Sequence, residues 1–245
     1  MGIIITLVGL SVLYACLLVR YLRIAYVDEL RFWPYEYPGD PDSEAFMRST
    51  RAKLSLSVLF CIVATAGLLY HIALGRFSGF STFVLAGLIC AVFGDYYLQF
   101  IRADAKKFNA GILFFALTQV LLLAYLFSVS AIGWTEIIIS VVILILILLL
   151  MKKQDWKLGK AQGPLTVYTV LLVLMTVKSV VVACSVETSD VSAWLFAVGA
   201  VLFLLSDLLL GIWNFHSNHR IHAYWNWITY FSGTLLIALS LGVGL

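Results

Sequence analysis

Two aspartates stand inside otherwise apolar runs: Asp95 follows Gly94 at the end of GLICAVFGD (Gly87 to Asp95), and Asp207 follows Ser206 at the end of GAVLFLLSD (Gly199 to Asp207). Each lies about six residues before the end of its run, which at ~1.5 Å per residue is roughly 9 Å inside a hydrocarbon boundary. That is too deep for so short a side chain to reach bulk water. A carboxylate there costs a few kcal/mol and normally faces the bundle interior or a wet cavity. On the plainer reading, each aspartate hydrogen-bonds across a helix interface or pairs with Lys178. Matched depth points instead to one shared site, where burial and mutual repulsion leave one carboxyl protonated and the other ionised. An acid beside a carboxylate is what protonation followed by water attack requires.

Few other polar side chains accompany them. Lys178 lies past the middle of the sixth apolar run, about seven residues or ~10 Å from the level of the aspartates, and reads as a counter-ion, a substrate-phosphate contact or a snorkelling side chain. Gln119, Asn214 and Asn226 either line the same cavity or hydrogen-bond between helices. His219 and His222 have an i, i+3 spacing but no neighbouring cysteine or carboxylate, so no metal is expected. Cys16, Cys61, Cys90 and Cys184 sit in apolar runs without C-x-x-C spacing and read as small packing residues. Trp213, Trp225 and Trp227 flank the last loop as interfacial anchors would. The absence of a phosphate-binding glycine loop, a G-x-S-x-G elbow, an H-E-x-x-H pair and an arginine-rich helix disfavours nucleotide-driven transport, serine or zinc hydrolysis and voltage sensing.

The elements that must position these residues are membrane helices. The 245 residues are 62% hydrophobic and 12% charged, with a mean hydropathy of +1.01, outside the range of a water-soluble domain. Hydropathy predicts an all-α bundle of eight spans at about 3–19, 54–74, 79–101, 108–128, 131–151, 164–186, 191–213 and 223–244, forming one integral membrane domain over residues 1–245. The first run lacks a basic leader and a cleavage site, so it is read as a span. The one long connection, Arg20 to Lys53, carries the turn-rich PYEYPGDPDSE (Pro34 to Glu44). Lysines and arginines number six in the first loop, including Lys53, three in the third, four in the fifth and one in the seventh, against Arg76 alone on the other side. The positive-inside rule then places the odd loops in the cytoplasm and both termini outside, with the plasma membrane the expected location for a bacterial protein. The two G-to-D segments, four helices apart, are compatible with a parallel repeat of two four-helix halves.

In these motifs the chain resembles the YhhN-like, or lysoplasmalogenase, family. The resemblance rests on FGDYYLQF (Phe93 to Phe100), FNAGILFFALTQVLLLAYLF (Phe108 to Phe127) and GAVLFLLSDLLLGIWNF (Gly199 to Phe215). PLTVYTVLLVLM (Pro164 to Met175), with Tyr168 as a further candidate contact, and YFSGTLLIALS (Tyr230 to Ser240) add weaker support. It runs from the third span to the C-terminus, the first two spans matching only in character. The chain departs from the family at Gln119, where histidine is common, and at Gly233 and Thr234, where Ala-Gln is usual.

The resemblance implies hydrolysis of the vinyl ether of a lysoplasmalogen to a fatty aldehyde and a glycerophospho-amine, with Asp95 and Asp207 at the active site and no metal or organic cofactor. The lysophospholipid's phosphate is then expected near Arg102, Lys106 and Lys107; no nucleic-acid partner is expected. The competing class is a small carrier or proton-coupled transporter using the aspartates as relays, against which the unbroken spans and off-centre aspartates count. A non-catalytic lipid-binding protein is the third. Reporter fusions at either terminus are expected to behave as non-cytoplasmic; a cytoplasmic signal from either end overturns the topology.

Overall fold

The computed structural model describes residues 2–27, 43–101, 104–185, 190–217 and 219–243, and every long element in it is helical. The helices are α1 (Gly2–Ala25), α2 (Glu44–Ala73), α3 (Ser81–Leu98), α4 (Ala105–Val129), α5 (Trp134–Lys153), α6 (Gln162–Ser185), α7 (Val191–Phe215) and α8 (Arg220–Val243). All eight are long and apolar enough to cross a bilayer. The starts of α2, α4 and α7 are set by polar caps. Ser43 accepts from the Phe46 amide, Asp104 from Lys106 and Lys107, and Asp190 from Ser192 and Ala193, satisfying amides that a helix start leaves without partners.

The bounds agree with hydropathy to a few residues except at α1, which runs six residues past the expected end at Val19, and at α2, which begins ten residues before the expected Leu54. Ser43 sets that start, and the polar first turns that follow were indistinguishable from loop by hydropathy alone. Arg20 and Arg23 therefore belong to α1, and Arg48, Arg51 and Lys53 to α2, rather than to the first loop. Most of the turn-rich run from Pro34 to Glu44 lies outside the described residues.

Packing repeats with the four-helix offset. Helix α1 packs on α2, α2 on α3 and α3 on α4, while α5 packs on α6, α6 on α7 and α7 on α8; between the halves, α2 lies against α8 and α6 against α4. Close approach is made by small residues, as expected where lipid supplies no hydrophobic drive between helices. A Cβ on Gly199 would stand 2.7 Å from the Gly233 carbonyl, and one on Gly233 would stand 2.7 Å from the Gly199 carbonyl. Gly233 thus lets α7 and α8 touch backbone to backbone. Thr234 beside it turns its hydroxyl back to the Tyr230 and Phe231 carbonyls of its own helix. Helix α8 is the most enclosed of the eight, whereas α1 and α5 turn leucines, isoleucines and valines outward, among them Ile4 and Leu146.

Lys178 is wholly buried, at the opposite end of the bundle from Asp95 and Asp207. It neither snorkels nor meets an aspartate. Its ammonium lies 2.8 Å from Glu136 Oε1 and donates to Ser130 Oγ at 2.7 Å and the Ala131 carbonyl at 2.6 Å. Glu136 in turn accepts from the Gly133 amide. The lysine ties α6 to the α4–α5 connection, and the substrate contact or counter-ion expected of it has no geometry here. Removing one partner strands a buried charge, whereas removing both does not. Lys178→Met alone should therefore lower the thermal midpoint in detergent more than Lys178→Met combined with Glu136→Leu; an equal or larger loss in the double variant overturns this.

Candidate active site

Asp95 and Asp207 line one cavity of about 130 Å³, several waters in size, at the end of the bundle that carries the basic loops. Asp95, 1% exposed, sits one turn before the end of α3, which tightens into i→i−3 bonds through Ile101. Asp207 lies more than two turns before the end of α7. The carboxylates are thus not at equal distances from their helix ends, but the staggered helices bring them to the same space.

The two are held differently. Asp95 Oδ2 accepts from Ser57 Oγ at 2.6 Å and Tyr230 Oη at 2.8 Å, and its Oδ1 lies 3.4 Å from Lys53 Nζ. Lys53 and Ser57 are one turn apart on α2, so a single helix face presents both. Asp207 accepts from the Tyr168 hydroxyl of α6, and its Oδ1 lies 3.2 Å from Ser206 Oγ. Phe115 of α4 packs on both tyrosines, its ring 6.4 Å from Tyr168 and 6.1 Å from Tyr230, edge-on to the latter. Gly94 makes room for it: a Cβ there would lie 2.8 Å from the Phe115 ring. A side chain at the glycine of the G-D motif would therefore displace the ring that packs on both tyrosines.

Asn214 and Asn226 also reach the cavity. Asn226 donates to the Ser206 carbonyl at 2.8 Å, fastening α8 to α7 beside Asp207, and Asn214 donates to Leu210 of its own helix. Trp213 and Trp227 are cavity walls rather than interfacial anchors, buried and edge-on at 5.9 Å; of the three tryptophans only Trp225 is exposed. Gln119 is buried next to Tyr168, outside the cavity lining, and its amide atoms meet no partner at hydrogen-bond geometry among the described residues. Lys106 is exposed and away from the cavity, Lys107 stands 3.9 Å over the Phe100 ring, and Arg102 lies outside the described residues.

Three site residues were missed in the sequence. By hydropathy Lys53 falls in a basic loop, and Ser57 and Tyr230 look like ordinary interior residues. The i, i+4 spacing of Lys53 and Ser57 was the available signal, hidden by the late start given to α2.

A family model described as the YhhN family matches residues 50–241. The chain belongs to the YhhN family. The match starts at Thr50 and so takes in α2 with Lys53 and Ser57, extending the likeness upstream of the third span. No curated protein and no solved structure matches the chain.

The Gly94–Phe115 contact gives a test of the site's packing. Gly94→Ala should lower the thermal midpoint by the equivalent of about 1–3 kcal/mol, the usual cost of overpacking. Adding Phe115→Leu should recover part of that loss. If the alanine is silent, or the two losses simply add, the contact does not constrain the site.

Proposed function

We propose that this YhhN-family protein is an intramembrane hydrolase that cleaves the vinyl ether of lysoplasmalogens, releasing a fatty aldehyde and a glycerophospho-amine. The observation that carries the reading is the convergence of two carboxylates, each with a tyrosine hydroxyl, on one cavity. Vinyl ethers are cleaved by protonating the carbon β to oxygen, after which water captures the oxocarbenium ion. A carboxylic acid can supply that proton, and a carboxylate can stabilise the cation and activate the water.

The cavity walls suit a single-chain lipid. Leu165 and Leu172 of α6, Leu204 and Leu208 of α7 and Ile147 of α5 form an apolar side for the alkenyl chain, and Asn214, Asn226 and Gln99 mark the polar end for the glycerol. Lys53 is the cation that lines the cavity among the described residues; the exposed Lys106 and the stacked Lys107 are less well placed for the phosphate. By the basic-residue bias this end faces the cytoplasm.

Purified protein incubated with a 1-alkenyl lysophospholipid should release aldehyde. Asp95→Asn and Asp207→Asn should each reduce kcat by at least about 10²-fold while remaining folded in detergent, because asparagine keeps the shape but cannot exchange the proton. The pH profile should be bell-shaped, its limbs belonging to the coupled pair. Full turnover by either variant removes that aspartate from the mechanism. A wild-type protein that cleaves no ether or ester lysolipid overturns the hydrolase reading in favour of transport.

A further inference from the structure

The two carboxyl groups are not interchangeable. Around Asp95 every described contact suits a negative charge. Lys53 stands 3.4 Å from one oxygen, and two hydroxyls converge on the other. The single proton of Ser57 has two acceptors within reach, the Lys53 carbonyl at 3.3 Å and Asp95 Oδ2 at 2.6 Å, and the shorter, charge-assisted contact takes it.

Asp207 has no cation within ion-pair distance among the described residues. The proton of its neighbour Ser206 is directed elsewhere, to the Phe203 carbonyl at 2.7 Å, against 3.2 Å to Asp207 Oδ1. With that proton committed, the Ser206 oxygen faces Asp207 with a lone pair, which suits a carboxyl that is itself the donor. Tyr168 remains as a donor to the other oxygen.

We infer that Asp207 is the proton-bearing acid and Asp95 the ionised carboxylate, and that Lys53 is the positioning residue that keeps Asp95 charged. The assignment rests on the hydrolase reading only for its chemical use. In that use the steps balance. The Asp207 carboxyl gives its proton to the β carbon, and the carbon bonded to oxygen becomes the oxocarbenium centre, facing the Asp95 carboxylate. Water adds to that carbon and passes a proton to Asp95, leaving a hemiacetal. As the carbon–oxygen bond to glycerol breaks, Asp95 returns its proton to the departing oxygen, and the hemiacetal hydroxyl proton goes to Asp207. Aldehyde and alcohol leave, and both carboxyl groups are restored.

Infrared spectroscopy of the purified, substrate-free protein tests the assignment without relying on turnover, through the carbonyl stretch of a protonated, buried carboxyl group. At neutral pH the wild type should show one such band, which disappears in Asp207→Asn and persists in Asp95→Asn. Lys53→Met should add a second band, because a buried carboxylate without its counter-ion takes up a proton, and Lys53→Arg should restore the single band. Loss of the band in Asp95→Asn rather than Asp207→Asn reverses the roles. Its absence from the wild type, or an unchanged spectrum in Lys53→Met, overturns the inference. Failure of aldehyde release with these spectra intact rejects the hydrolase reading and leaves the protonation assignment standing.

Discussion

A carboxylate enclosed by membrane helices has to have its charge answered by side chains of other helices or by the few waters a cavity can hold, since lipid cannot answer it. Asp95 shows what this demands: α3 supplies the acid, α2 a lysine and a serine, and α8 a tyrosine. Those three partners fix the relative height and rotation of the helices more narrowly than leucine packing can. The remainder of the site is built from that point. Tyr230 gives Phe115 an edge to pack on, Phe115 needs the space Gly94 leaves, and Phe115 also meets Tyr168, the partner of Asp207.

The second buried ion pair, Lys178 with Glu136, has a different position and consequence. It lies at the other end of the bundle, its ammonium filled by three oxygen acceptors, which leaves it nothing to offer a ligand. Two intramembrane lysines thus divide into one that fastens helices and one that lines a cavity, and residue type alone does not separate them.

Much of this could be read in the sequence. Eight helices follow from apolar run lengths, and the aspartates stand out because charge in such runs is rare. The correspondence of FGD with LSD anticipated the four-helix packing offset. What hydropathy could not supply was the start of α2, where polar residues on a helix look like polar residues in a loop; with it went Lys53 and the face it shares with Ser57. Partner choice was equally hidden. Lys178 had several formal mates along the chain, and only the turn after α4 decides that Glu136, not an aspartate, is within reach. Gln119 and Tyr168, 49 positions apart in the numbering, become neighbours only because α4 and α6 pack across the two halves.

The exchange of helices between halves also bears on synthesis. Asp95 and Tyr230 are separated by 135 residues. At about 5–20 residues per second, roughly 7–27 s pass between the emergence of the one and the other. Through that interval the nascent chain holds α2 and α3 but not α8, and the only described donors available to the Asp95 carboxylate come from the helix before it, Lys53 and Ser57. The lysine then serves as an escort, carrying the acid into the bilayer as a neutral pair until the last helix arrives to complete its shell.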